Sequence, residues 1–333
     1  MKYFHLLCFF LAASVAYGQL TIKPITVASE GNDETLTFPV VVSQQQPVIA
    51  RKIYTQLLKG GLELPAESTT QQVQEAMQSW TSFGYSVLLH SDKVFTLRIN
   101  RTGTHYIPNN VTFSFDVRNG EMIDMNKLFT SRLSTVKKSL MEEWKGRIKG
   151  HLNDERGSEY KECLDQANQT SELEISEMCI VDNGVEFAGT SCLDVTSFAM
   201  EGNTRDPFNR SFNQLWFALS PYGLSYFIDP SPAGSVFNVV LHGTIDQKYP
   251  VSIILFAPKQ GGEITGFEVY DKFGQDISVK GKMDGNTITV QELDNTGKPQ
   301  ATLQGTWDGS NWQGTFTNSK TGKVLSLRMT AQR

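Results

Sequence analysis

The sequence predicts an α+β protein: an antiparallel sheet with packed helices, followed by a C-terminal antiparallel β meander or small barrel. Three observations carry this expectation. YSVLLHSDKVFTLRIN and VTFSFDVRNGEMIDM alternate apolar and polar residues at the period of half-buried strands. PVIARKIYTQLL and SRLSTVKKSLMEEWKGRIKGHL repeat apolar residues at helical spacing. From about Lys248 onward, alternating segments are separated by turn signals at hairpin intervals.

The elements follow in order. MKYFHLLCFFLAASVAYG has a positive end at Lys2, an apolar run from Leu6 to Val15 and a small-x-small site at Ala16-Tyr17-Gly18. Residues 1–18 therefore read as a signal peptide cleaved before Gln19, which makes the mature chain secreted or periplasmic. No later apolar run is long enough for a stable membrane span. LTIKPITV and ETLTFPVVV are short β-type runs. Val48, Ile49, Ile53, Leu57 and Leu58 then lie on one helical stripe, and Val73, Met77 and Trp80 suit a second helix. Ser91-Asp92-Lys93 is a hairpin turn between two strands. Val111, Phe113 and Phe115 share one strand face, and Asn119-Gly120 is a two-residue turn signal. Asp124 or Asn126 can cap a helix starting near Lys127-Leu128-Phe129. Leu133, Val136, Leu140, Trp144 and Ile148 form the stripe of an amphipathic helix.

In the tail, Asp284-Gly285, Thr296-Gly297, Asp308-Gly309 and Thr321-Gly322 are the turns, and Ile288/Val290 and Leu325/Leu327 alternate between them. Gly305 to Trp307 and Gly314 to Phe316 form a short internal echo. The chain divides into a signal peptide at 1–18, an α+β domain at 19–246 and a β-rich domain at 247–333.

Composition restricts function. The formal net charge is −5 and no basic run appears, which excludes a nucleic-acid partner that needs a positive footprint. Cys163, Cys179 and Cys192 remain after cleavage, enough for one disulfide and one thiol in an oxidising compartment. The shorter loop favours Cys179–Cys192. His90, His105, His151 and His242 are scattered, so no metal and no cofactor is expected. His151 with Asp154 and Glu155 is a solvated helix end or, alternatively, a metal or acid–base group. SCLDV around Ser191 lacks a nucleophile elbow. Glu142-Glu143 point apart on a helix and make no glycosidase pair. Asn100, Asn110, Asn168 and Asn209 each head a glycosylation sequon. Aromatic residues are the lead for binding: Trp307 and Trp312 either stack on a ligand or fill a β core, as do Tyr222, Tyr226 and Phe227.

Phe115-Asp116, Gly120 and Leu128-Phe129, then Gly223-Leu224, Tyr226-Phe227 and Ala233-Gly234, occur in an order and spacing that resembles a known family. It is the domain of unknown function found in the extracellular region of the anti-sigma factor RsiV and before the catalytic module of PdaC-type peptidoglycan deacetylases. The resemblance spans roughly Thr21 to Ile245. It implies that Gly223-Leu224 is a turn and Tyr226-Phe227 part of an aromatic closing strand. The loop RTGTHYIPNN keeps Gly103 and His105 of the family's longer Gly-Gly-Ala-His stretch. The segment carrying Cys163 to Cys192 is longer than the family's, and the deacetylase module and its metal-binding pattern are absent.

Together these readings give a non-catalytic binding protein of the bacterial cell envelope. The expected partner is a protein or a cell-wall glycan, and Gly103, His105, Tyr106, Trp307 and Trp312 are the candidate ligand-binding residues. The alternative is an envelope polysaccharide or peptidoglycan hydrolase whose catalytic set is assembled from distant residues. Clustered, desolvated carboxylates or histidines in a cleft would favour the hydrolase, and a cleft-free surface with an exposed aromatic patch would favour binding.

Overall fold

The computed structural model describes residues 20–29, 34–103, 109–154, 157–189, 206–258 and 262–333. The expected class is observed: helices with antiparallel sheets, and a closed antiparallel barrel at the C-terminal end. Two compact units meet in sequence at Met122/Ile123.

The first unit opens with the antiparallel hairpin β1 (Thr21–Ala28) and β2 (Thr35–Val42). Helix α1 (Pro47–Leu62) starts with proline in its first turn, where the missing N–H costs nothing, and buries Ile53, Leu57 and Leu58. Helix α2 (Thr70–Gln78) begins with a reciprocal capping box between Thr69 and Gln72. Strands β3 (Ser82–His90), β4 (Val94–Thr102) and β5 (Val111–Asp116) form an antiparallel sheet, with Ser91 Oγ accepting the Lys93 and Val94 N–H groups in the expected turn. Phe38, Ile53, Leu57, Phe95 and Phe115 fill the core.

The Asn119-Gly120 turn differs from its two-residue expectation. The Asp116 N–H donates to Glu121 O, so four residues are enclosed, and of the Asn-Gly pair only Gly120 has positive φ, at 76°. The cause is docking on α1. Gln56 Nε2 donates to Gly120 O at 2.8 Å, and a Cβ on Gly120 would stand 3.0 Å from Ile49 O.

In the second unit, Asp124 does cap, but it caps a single 3-10 turn at Met125–Lys127. The helix expected near Lys127–Phe129 begins instead at Leu133, as α3 (Leu133–Gly150). Leu128 closes the 3-10 turn in helical backbone, and Phe129 then bridges to Leu219: Ser220 N donates to Leu128 O and Thr130 N to Ala218 O, both at 2.8 Å. Helix α4 (Gly157–Ala167) follows, then the antiparallel sheet β6 (Ile175–Val181), β7 (Gly184–Gly189) and β8 (Phe208–Ser211). One-turn helices α5 (Phe212–Leu215) and α6 (Pro221–Leu224) complete this layer. Tyr226-Phe227 is therefore not part of a closing strand. Ser220 caps α6, Pro221 starts it, and Tyr226 and Phe227 continue its turns by donating to Gly223 O and Leu224 O.

The barrel comprises β9 (Val240–Ile245), β10 (Tyr249–Phe256), β11 (Ile264–Tyr270), β12 (Asp276–Asp284), β13 (Thr287–Leu293), β14 (Pro299–Trp307), β15 (Asn311–Asn318) and β16 (Val324–Gln332). Each strand pairs with the next, and β16 returns to pair with β9. The sequence boundary at 246/247 is the turn joining β9 to β10 inside this barrel. Outward-facing Val240, Ile254 and Val269 pack into one core with Leu140, Trp144 and Trp216 of the helical layer.

The Gly305/Gly314 echo has a physical cause. The two glycines are cross-strand partners on the inner face, between Leu303 and Trp307 and between Trp312 and Phe316. A Cβ on Gly314 would lie 1.9 Å from Gln304 O and 2.4 Å from the Gly305 Cα. Inward glycines at 243, 266 and 281 meet a neighbouring carbonyl in the same way. Such bends let a small sheet coil into closure. Gly314→Ala should lower unfolding free energy by about 1–3 kcal/mol in chemical denaturation; an unchanged midpoint would contradict this role.

The expected Cys179–Cys192 bridge is corrected. Cys163 is the disulfide-bonded cysteine, and its partner lies outside the described residues. Cys179 is a buried thiol. It stands mid-strand in β6 opposite Glu186, with its Sγ 3.9 Å from that carboxylate. Alkylation of denatured, unreduced protein should label Cys179 and spare Cys163; labelled Cys163 would contradict the assignment.

Candidate functional site

The sequence-predicted residues separate. Trp312 is fully buried and Trp307 is 4% exposed, both inside the barrel. They are core residues, because 307 and 312 fall on the inward phase of β14 and β15 and face each other across the hairpin. Trp307 Nε1 donates to Gly234 O at 2.8 Å. Gly103 follows β4 and is half-buried, near Trp80, over which the Arg101 guanidinium stacks at 4.6 Å. His105 and Tyr106 lie outside the described residues. His151 is held to Asp154 at 2.7 Å and stacks on Tyr160 at the end of α3. Among the described residues no group of three or more His, Cys, Asp or Glu side chains could hold a metal.

One constellation has the residue types of a hydrolase without its geometry. Arg132 Nη1 donates to Ser252 Oγ at 2.7 Å and to His242 Nδ1 at 3.0 Å, while Ser252 Oγ reaches Asp271 Oδ1 at 3.3 Å. In a Ser-His-Asp triad the serine and the acid engage opposite ring nitrogens. Here Ser252 and Asp271 both approach Nδ1, at 3.1 and 3.9 Å. Ser252 is fully buried. Burial, then the Arg132 charge, hold the His242 pKa below its ordinary value, so the ring is a neutral acceptor. The group clamps the start of α3 to the outer face of β9 and β10.

The better site is the barrel rim formed by the ends of β9, β11, β13 and β15 and the starts of β10, β12, β14 and β16. Tyr249 opens β10, Tyr270 ends β11, and Phe273 lies in the β11–β12 connection. Phe273 is 72% exposed and Tyr249 42%. Lys272 and Lys248 place their ammonium groups 5.4 Å from the centres of these rings. Tyr249, Tyr270 and Phe273 border an open cleft of about 370 Å³ floored by Ile245, Phe316 and Leu325, with Asn318, Thr321 and Lys323 at its edge. Tyr270 and Phe273 also border a second cleft, of about 770 Å³, between β12 and the β13–β14 turn.

Two carboxyls lie behind this rim. Glu268 and Glu292 occupy inward positions, in phase with Ile264 and Gly266 and with Ile288 and Val290. Glu268 is fully buried, no N–H or hydroxyl among the described residues reaches its oxygens, and its hydrogen-bonding neighbour is the Glu292 carboxyl. Glu292 borders the larger cleft, and its Oε1 accepts from the Tyr270 hydroxyl at 2.7 Å. Burial, reinforced at Glu268 by the neighbouring Glu292 charge, pushes both carboxyls above their ordinary range. Burial also raises Tyr270, with both glutamates adding to it. At the outer edge, burial pushes Asp276 up to about 6 against the opposing bond from Trp216 Nε1.

The rim residues were missed because exposure of a ring cannot be read from alternation. One carboxyl had a readable signal: TITVQEL places Glu292 on the phase of Ile288 and Val290, whereas ITGFEVY has apolar residues on both phases.

No family model matches the chain, and no curated protein matches it. The structure is similar to those of two DUF3298-family proteins, a family named for a domain of unknown function. One, from Bacteroides fragilis NCTC 9343, is 14% identical, covers 62% of this chain and 96% of its own, and superposes with a TM-score of 0.43. The other, from Pseudomonas aeruginosa PAO1, is 11% identical, with 62% and 95% coverage and a TM-score of 0.41.

Two predictions follow from the geometry. Trp312→Ala should cost roughly 3–5 kcal/mol of stability as a core truncation, read by denaturant unfolding; an unchanged midpoint would return Trp312 to the surface. The raised acids also set a pH dependence. The folded chain binds more protons than the unfolded chain wherever the folded pKa is higher, so stability falls as pH rises through that window. For Asp276 the window runs from 3.8 to about 6. Asp276→Asn should add about 1 kcal/mol at pH 7, allowing for its partial exposure, and flatten this descent. A destabilised Asn variant at pH 7 would contradict the assignment.

Proposed function

We propose that the chain is a non-catalytic binding protein of the bacterial cell envelope and that the aromatic barrel rim takes a cell-wall glycan. The observation that carries this reading is the exposure of Phe273 and Tyr249 beside an apolar-floored cleft. Exposed rings stack on sugar faces, and Asn318 and Thr321 offer hydrogen bonds suited to hydroxyl groups. The signal-peptide pattern at residues 1–18 and the disulfide at Cys163 support action in an oxidising compartment outside the cytoplasm. The motif resemblance to the extracellular region of RsiV and to PdaC-type proteins supports the same setting.

The hydrolase reading rests on the buried carboxyls. Glycosidase pairs stand about 5–9.5 Å apart across the scissile bond. Glu268 and Glu292 are instead direct neighbours inside the barrel, and Glu268 is sealed from any polymer. That geometry favours binding.

Phe273→Ala should weaken capture of peptidoglycan fragments by about 1–3 kcal/mol in calorimetric titration while leaving the melting temperature nearly unchanged. Unaltered capture would remove the rim from the reading. Capture of a protein ligand alone would replace the glycan. Turnover of peptidoglycan that is lost on a point substitution would replace binding with catalysis.

A further inference from the structure

We propose that the larger rim cleft, between β12 and the β13–β14 turn, is a cation subsite that receives a protonated amine of the bound glycan, with Glu292 as its direct partner and Glu268 behind it. The inference rests on the rim being the glycan-binding surface and adds the chemistry of the group that enters.

A buried carboxyl normally has a cation or several donors beside it, because its charge is otherwise costly to desolvate. Among the described residues Glu268 has no cation and no N–H or hydroxyl donor beside it; its one partner is the Glu292 carboxyl. The acid nearest to it is Glu292, which reaches the cleft. Two adjacent carboxyls and one phenol supply too few ligands for a hard divalent ion, which takes six to eight oxygens when it is calcium. An ammonium needs less: one carboxylate to bond, a second charge nearby and aromatic faces beside it.

The other charged groups around the cleft are already engaged. Asp294 is turned into its own loop, accepting from Thr296, Lys298 and Gln300. Asp276 accepts from Trp216. Lys280 lies toward Glu263 at 3.9 Å. The Lys272 and Lys248 ammonium groups lie 5.4 Å from the centres of the Phe273 and Tyr249 rings, which stay exposed. Glu292 differs from these in being backed by a second acid, Glu268, and it faces the cleft with the Tyr270 hydroxyl on its Oε1, so it is the carboxyl an incoming cation meets. An amine arriving there favours the ionised form of the pair, whose proton leaves to solvent.

The test uses two matched probes on the full chain by calorimetric titration: the glucosamine tetramer at a pH where its amines are protonated, and the N-acetylglucosamine tetramer. The free-amine form should bind roughly tenfold to a hundredfold more tightly, the range of a charged hydrogen bond. Glu292→Gln keeps the side-chain shape and the acceptor for Tyr270, and should erase that advantage while retaining or raising the melting temperature. Equal binding of both probes overturns the cation subsite and leaves the rim reading standing. An advantage that survives in Glu292→Gln also overturns it, by assigning the effect to general surface charge. Absence of binding by either probe overturns both readings.

Discussion

Pairing of β9 on both edges is the constraint on which the second unit depends. One edge takes β10 and the other takes β16, so the first and last strands of the meander meet. Closure removes the free edges of this eight-stranded sheet and creates an inside. Only because there is an inside do Trp312, Glu268 and the paired glycines at 305 and 314 have their surroundings. Closure also makes a continuous outer wall, on which Val240, Ile254 and Val269 receive the helical layer and Ser252 receives Arg132.

The same closure explains what the sequence could convey. Local features were legible. Gly285, Gly297, Gly309 and Gly322, marked as turn residues, all have positive φ. The stripe Val136, Leu140, Trp144 and Ile148 is the buried face of α3. Features set by distant partners were not. The β9–β16 pairing joins strands about eighty residues apart in sequence, and the start of α3 is delayed by bonds from 218–220. Alternation showed that Trp307 and Trp312 share a face with Leu303 and Phe316, but the side of the sheet that face occupies is decided by closure. The cysteine pairing was not legible either: loop length describes the unfolded chain, and in the fold Cys179 is a buried thiol beside Glu186.

The carboxyl pair runs against stability. Apolar side chains at 268 and 292 would continue the lining of Ile264, Ile288 and Val290 and remove two desolvated acids. Local rules broken without structural compensation concentrate where a molecule makes contact with something else. Here the breach lies directly behind the exposed rings, at one end of the barrel. The opposite end carries the Trp307–Trp312 hairpin turn, whose tryptophans are turned inward and sealed.

The most direct test of this account is amide hydrogen exchange of the full chain with and without peptidoglycan fragments. The account predicts ligand-dependent protection in the connections around 246–249, 271–276, 294–298 and 319–323, all at one rim. Protection centred instead on the 308–310 turn at the other end, or confined to residues before 123, would contradict the barrel rim as the binding surface.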